Sequence, residues 1–369
     1  MNTAAKDQIS SRDLLFSAAA YVQASSLLTA FITGTLRQSS WVGTVAAYAL
    51  ALILLAILLF LFKRHPGMGL VQLNDAVFGK VAGRIVSFCY FFFIFTLVSL
   101  NIGDLNGFLN SYILSDTPPI AIVVPLMLVC VIAVRKGIDS VFRLGPLFSA
   151  LQIITLILFT VMLIPNMKPA NMLPVLDLTP KEFWQGTNTL YSLPFGDLFI
   201  VILAIPAVSN IKNYKSIIFK GFTIGAVITL LIVITDTLVL GPLLSNITLP
   251  RFLSIRLINV ADVFTRMDIV YAYVLIVLRY FKLCVLLYVC SLLLAQIFEL
   301  KSYVPLVSTL GILTAIYSLF LFRSGSESSE WAANTAGIYG TFFNTLLPLL
   351  TFIVYLIQLL LKKLKAKTS

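Results

Sequence analysis

Between Leu190 and Val208 the chain is almost continuously apolar, yet near the start of this stretch stands Pro194-Phe195-Gly196-Asp197. Proline removes a backbone donor and clashes with the preceding turn, and glycine weakens what remains of a helix. In hydrocarbon each freed backbone group is costly unless protein, water or a ligand satisfies it. A carboxylate at Asp197 adds about 3 kcal/mol on insertion scales. A span that keeps all three features must hold them inside a bundle, and their natural use is a binding site near mid-membrane.

That argument needs a bilayer, and composition supplies one. Of 369 residues, 59% are hydrophobic and only 11% charged, where a soluble domain carries about 25% charged residues. Met1 to Arg12 is polar and lacks the charged-then-apolar-then-small pattern of a cleaved signal, so the first span is expected to be retained. Windows of about 20 apolar residues predict ten spans: 13–33, 42–62, 85–113, 120–134, 144–165, 190–209, 221–243, 269–298, 304–322 and 338–361. The third and eighth exceed the thickness of a bilayer and are expected to tilt or project. Thr179-Pro180-Lys181-Glu182 reads as the capped start of a short surface helix.

The formal charge is +11, and its placement argues for topology rather than for nucleic acid. With the N-terminus inside, 17 of the 26 cations fall in inside segments and 7 in outside loops (Arg37, Lys168, Lys181, Arg251, Arg256, Arg266 and Arg323). The remaining two, Arg279 and Lys282, lie within the eighth span. The positive-inside rule then puts both termini in the cytoplasm. The basic tail Lys362–Lys367 suits anionic membrane lipid.

Ten spans with a broken sixth divide into two five-helix repeats, 13–165 and 190–361, whose odd span count gives them opposite topology. In transporters built this way the first helix of each half is discontinuous and the substrate sits between the breaks. The expected fold is therefore all-α and integral to the membrane, a 5+5 inverted repeat of the LeuT/APC-like kind. For the first span two readings stand. Tyr21-Val22-Gln23-Ala24-Ser25 is either a matching irregular turn or a straight helix packed closely through small side chains.

The ionisable residues inside spans are the sharpest functional signal. Arg279 and Lys282 share a helix face at i, i+3, roughly 15–20 Å into the eighth span at 1.5 Å per residue. Asp197 and Asp236 are the deepest carboxylates, with Asp104 nearer the outer surface. These groups either contact a zwitterionic ligand or stand in for a coupling cation, or else they form structural pairs that fix helix register. The candidate ligand-binding set is Tyr21, Val22, Gln23, Ala24, Ser25, Asn101, Leu193, Pro194, Phe195, Gly196, Asp197 and Arg279, with Asp197, Asp236 and Lys282 as buried charge or coupling groups. Asn101 and Gln152 also suit helix-to-helix hydrogen bonding.

Other motifs are weak. Gly67-Met68-Gly69 lacks the strand–turn–helix setting of a dinucleotide site. His65 is the sole histidine, so no histidine triad or zinc site is expected. Cys89, Cys130, Cys284 and Cys290 lie in apolar segments without CxxC spacing. No metal, cofactor or enzymatic activity is expected.

Several local pieces, taken in order, resemble the B subunits of spore germinant receptors, the GerAB-type endospore germination permeases of the amino acid–polyamine–organocation superfamily. They are Ile9-Ser10 before the first span, Trp41 opening the second and Thr117-Pro118 before the fourth. The loop Arg135-Lys136-Gly137-Ile138-Asp139-Ser140-Val141-Phe142-Arg143 follows, then Leu173-Pro174-Val175 ahead of the Pro194-Phe195-Gly196-Asp197 break. Pro250 and Arg266-Met267-Asp268 complete the series. The resemblance covers almost the whole chain from Ile9. It implies a ten-helix inverted repeat, residence in the inner membrane of a spore, sensing of a small germinant such as an amino acid, and assembly with an A-type subunit and a lipoprotein C-type subunit. The chain departs from the family pattern twice: Gln23-Ala24-Ser25 stands where a glycine is common, and Asp197 where glutamate is typical. A proton-coupled amino acid transporter of the same superfamily, and a scaffold with a vestigial pocket, are the competing readings.

Overall fold

The computed structural model describes residues 9–26, 34–65, 67–204, 213–258 and 266–368. All secondary structure among them is helical. In chain order the α-helices are α1 (Ser11–Ser26), α2 (Ser40–Arg64), α3 (Leu70–Phe78), α4 (Lys80–Tyr112), α5 (Pro119–Lys136), α6 (Ile138–Phe142), α7 (Gly145–Leu163) and α8 (Pro180–Leu190). They continue with α9 (Phe199–Leu203), α10 (Tyr214–Leu240), α11 (Pro250–Arg256), α12 (Met267–Ile297), α13 (Val304–Phe320), α14 (Gly325–Asn334), α15 (Ala336–Thr341) and α16 (Leu347–Thr368). Among the described residues seven helical stretches are long and apolar enough to cross a membrane, or eight if α13 and α14, bent by 100°, count as one broken span.

Burial separates two classes of helix. The window that qualifies α12 as a span is 83% buried, whereas that of α5 is 22% buried and that of the last stretch, Ala336–Leu364, 28%. The outer helices turn Val124, Leu128, Ile353 and Leu360 outward. Apolar surface on this scale is unfavourable in water and natural in lipid. The chain is a multi-pass membrane protein.

At the centre stands α1, in which every side chain from Ala18 to Ala24 is fully enclosed. It packs against α7, α10 and α12. Small residues make the contact with α10 possible. A Cβ at Gly221 would lie 2.3 Å from the Leu15 carbonyl oxygen, and one at Gly225 would lie 2.8 Å from Val22 Cβ. Without a hydrophobic drive between helices, such close backbone approach is how membrane helices gain packing energy.

Three stretches flagged in the sequence take definite form. The stretch Tyr21–Ser25 is ordinary α-helix, so of the two readings the straight, tightly packed helix holds there; residues 27–33 lie outside those described. The sixth helical run, residues 180–203, joins the capped short helix expected after Thr179 to the stretch expected as the sixth span. Thr179 caps it, with Thr179 Oγ1 accepting from the Glu182 amide at 3.3 Å and Glu182 Oε2 accepting from the Thr179 amide at 2.8 Å. Between the stretches expected as the ninth and tenth spans, Gly325–Asn334 forms the additional helix α14.

The run from α8 to α9 passes through a π turn, Tyr191–Phe195, and a 3₁₀ turn, Gly196–Leu198. Pro194 has no amide hydrogen, which favours a change of register here. The Gly196 amide bonds back to the Tyr191 carbonyl, five residues away, so the Ser192 carbonyl loses its α-helical donor. Asn344 Nδ2 takes that carbonyl at 3.1 Å. Asn344 itself lies in a second π turn, Phe342–Leu346, between α15 and α16. Gly196 permits the meeting, since a Cβ there would fall 2.9 Å from Asn344 Nδ2.

Candidate functional site

Four helical elements bring charge together in the middle of the bundle. From α12, Lys282 Nζ reaches Asp197 Oδ2 at 2.5 Å, with both side chains at most 3% accessible. Lys282 Nζ also donates to Ser25 Oγ of α1 and lies 4.9 Å from the centroid of the Tyr21 ring. One turn earlier, Arg279 donates to Asn101 Oδ1 of α4 and lies 3.9 Å from Asp104 Oδ2. Asn101 is held by its own Nδ2, which donates to the Leu97 carbonyl at 2.8 Å. The i, i+3 spacing on α12 thus faces one cation toward the irregular sixth run and the other toward α4.

The four charges balance, which lowers the electrostatic cost of holding them in hydrocarbon. Their hydrogen bonding is nevertheless incomplete. Asp197 Oδ1, Arg279 Nε and the Tyr21 hydroxyl are buried and have no side-chain partner among the described residues. Buried polar groups normally find partners, so these three atoms mark unfinished hydrogen bonding within the cluster.

Not every sequence candidate enters this cluster. Tyr21, Ser25, Asn101, Asp197, Arg279 and Lys282 do. Gln23 and Ala24 are enclosed within α1. Val22 lies instead against Gly225. The Phe195 ring packs on Tyr48 and Phe222, at centroid distances of 6.2 and 5.6 Å. Pro194 and Gly196 shape the backbone rather than supply polar atoms. The side chain of Leu193 lies outside the described residues.

Asp236 forms a separate pair, with Arg251 Nη1 of α11 at 3.1 Å and both side chains 4% accessible. Arg251, counted from sequence as an outside loop cation, is therefore buried in a contact that joins α11 to α10. Sequence reasoning left out Asp104 from the site. Its signal was the i, i+3 offset from Asn101, which puts both on the face of α4 that meets Arg279.

The chain matches the family model described as "Spore germination protein", a permease family, over residues 8–326. Spore germination protein KB of Bacillus subtilis (strain 168) is 26% identical over 359 residues, covering 95% of each chain. Spore germination protein YndE of the same organism is 22% identical over 343 residues, covering 90% of this chain and 92% of its own. Among solved structures, the fold is shared with a Na⁺-coupled sialic acid symporter in a substrate-bound, outward-open state. That likeness has a TM-score of 0.63 and 12% identity, over 92% of this chain and 78% of the symporter. An all-helical transporter-like bundle and a match along most of the sequence converge: the chain belongs to the spore germination protein family of membrane permeases.

Proposed function

We propose that this chain is the ligand-sensing membrane subunit of a spore germinant receptor. A small zwitterionic germinant, an amino acid or similar, binds beside the Asp197–Lys282 pair, between α1, α4, the π and 3₁₀ turns of the sixth run, and α12. Tyr21, Ser25, Asn101, Asp197 and Arg279 contact it, and Lys282 holds the Asp197 carboxylate while supplying the charge of a built-in cation. Signalling to A-type and lipoprotein C-type subunits follows from a change in helix packing, which requires the germinant to bind one conformation better than another. The chain adopts ten spans in a 5+5 inverted repeat, in the inner membrane of the spore, with both termini cytoplasmic.

One observation carries this reading. Charged groups of both signs and orphaned polar atoms meet where the sixth helical run leaves α-geometry. A zwitterion offers a carboxylate to Arg279 and an ammonium to Asp197 Oδ1, meeting both signs at once.

The test is germination of spores carrying Asp197→Asn, an isosteric change that removes the charge. Asparagine can still accept from Lys282 Nζ, so the protein is expected to reach the spore membrane at reduced abundance, and its response to the germinant is expected to fall well beyond that reduction. Normal sensitivity at normal abundance removes Asp197 from the site. Uptake of labelled amino acid by the chain alone in proteoliposomes would replace the receptor reading with transport.

A further inference from the structure

Away from the ion-pair cluster, α4, α5, α7 and α12 enclose a crevice of about 380 Å³. Leu105 and Leu109 of α4, Leu126 and Val129 of α5, and Ile276 and Val277 of α12 form most of its wall. Its volume falls within the roughly 300–1,000 Å³ of small-molecule sites. The mouth lies among outward-facing apolar side chains, Val129 at 51% exposure beside Leu128 at 57%. It therefore opens to hydrocarbon rather than to water.

A path along α12 says what enters it. Arg266, the residue that precedes the helix, and Tyr273, Val277 and Tyr280 follow one another at offsets of 7, 4 and 3, which keeps them on a single stripe. Arg266 is largely accessible, at 72% of its side chain, and Tyr273 is 60% exposed. From Arg266 to Val277 the helix rises about 16 Å, close to half of a hydrocarbon core roughly 30 Å thick. The stripe thus runs from a cation at headgroup height, past an aromatic ring of the kind found at membrane interfaces, down to an apolar crevice at the depth of lipid tails. Among the described residues Arg266 meets Asp268 Oδ1 through Nε, at 3.5 Å, and that oxygen also accepts from the Ile269 amide at 3.1 Å. A guanidinium has five donors in a planar fork, and a phosphate can address its outer edge.

We propose that this crevice binds one acyl chain of an anionic phospholipid whose phosphate sits at Arg266. The walls it touches belong to the helices that carry the polar cluster: Leu105 follows Asp104, and Tyr280, at the crevice wall, follows Arg279. A chain wedged there sets how α4 and α12 pack against α5 and α7. The bound lipid thereby biases the geometry of the cluster. The inference stands on the path along α12 and does not depend on the germinant reading.

The test uses the full chain in nanodiscs containing phosphatidylglycerol with a photoactivatable diazirine at the acyl end. Labelled residues are mapped by peptide mass spectrometry. Several-fold enrichment is expected at 122–129 and 276–280 over Ile353 and Ile357, which are comparably exposed on α16. Even labelling of all outward faces overturns the proposal on the wild-type protein alone. Val277→Trp, which fills the crevice, is expected to abolish the enrichment. Arg266→Gln is expected to reduce it for phosphatidylglycerol but not for a diacylglycerol carrying the same diazirine chain, which has no phosphate. Competition by inorganic phosphate would assign Arg266 to a free anion and overturn the headgroup contact.

Discussion

Asn344 donates to the carbonyl of Ser192 across 3.1 Å, and each residue sits inside a π turn of a different helical run. One irregularity creates the unsatisfied acceptor and the other presents the donor. Ser192 Oγ adds a bond of 2.9 Å to the Gly337 carbonyl and lies 2.9 Å from Thr341 Oγ1. The departure from α-geometry next to Asp197 is therefore held by the last helical run, not left to water.

Asn344→Leu should destabilise the bundle. Interhelical side-chain hydrogen bonds in a membrane average only about 0.6 kcal/mol. Here, however, the acceptor has already lost its helical donor, so the cost of an unpaired buried carbonyl, about 1–3 kcal/mol, applies instead. Half-life at a fixed temperature in detergent is the measurement, and an unchanged half-life would mean that water replaces the amide.

The first π turn was partly legible in the sequence, because Pro194 and Gly196 announce a backbone that cannot stay α-helical. The second was less so: Phe342-Phe343-Asn344-Thr345-Leu346 contains no breaker, and its one signal is Pro348 just beyond, which removes the α-helical donor to the Asn344 carbonyl. The same division runs through the charged residues. Lys282 and Arg279 stood out because they interrupt an apolar run, and Asp197 because it follows a break. Arg251 looked like a loop cation, since its burial depends on α11 folding onto the Asp236 region of α10. Asp104 looked superficial, because its i, i+3 offset from Asn101 does not by itself say that Arg279 reaches that face of α4. Helical runs were read from apolar length alone, but α8 was separated from the sixth span because its polar face hides its continuity with the π turn.

The Asp197–Lys282 pair separates charge from packing. Removing one partner of a buried ion pair costs about 3–5 kcal/mol, because the other charge is stranded, whereas replacing both with apolar groups is often nearly neutral. Lys282→Met should therefore reduce abundance sharply, and Asp197→Leu combined with Lys282→Met should restore most of it without restoring a response to germinant. If the double variant is as scarce as Lys282→Met alone, the pair is not the source of the loss.

At one end of α12, Arg84 donates to the Gln296 carbonyl at 3.3 Å and to that of Ile297, while Nε meets Asp75 at 2.9 Å and Nη2 meets Glu299 at 2.8 Å. Lys80 lies 3.4 Å from Glu299. Arg84, followed by Lys80, holds the Glu299 carboxyl below the usual glutamate range. A carboxylate depressed in the folded state contributes stability that is full above its unfolded pKa, about 4.3, and is lost as pH falls through the folded value. The melting-temperature advantage of wild type over Glu299→Gln should accordingly be constant near neutrality and shrink below about pH 4. An advantage unchanged down to pH 3 would show that the contacts of Arg84 with backbone carbonyls, rather than the ion pairs, hold this corner.

Gly225 offers the most direct check on how α1 is seated. A Cβ at this position would lie 2.8 Å from Val22 Cβ and 3.2 Å from the Ala19 carbonyl oxygen. Gly225→Ala gains helix propensity of about 1 kcal/mol, but it forces α1 away from α10, and overpacking of this kind costs about 1–3 kcal/mol. The steric term should win, since two groups must yield and one is backbone. The variant is expected to melt lower and, because Ser25 and Tyr21 ride on α1, to respond more weakly to germinant. Val22→Ala keeps Val22 Cβ but removes Cγ1, which would lie 3.1 Å from the added Cβ, so adding it to Gly225→Ala should recover part of the lost stability. If Val22→Ala only adds its own cavity cost to that of Gly225→Ala, the two side chains do not meet and α1 sits elsewhere.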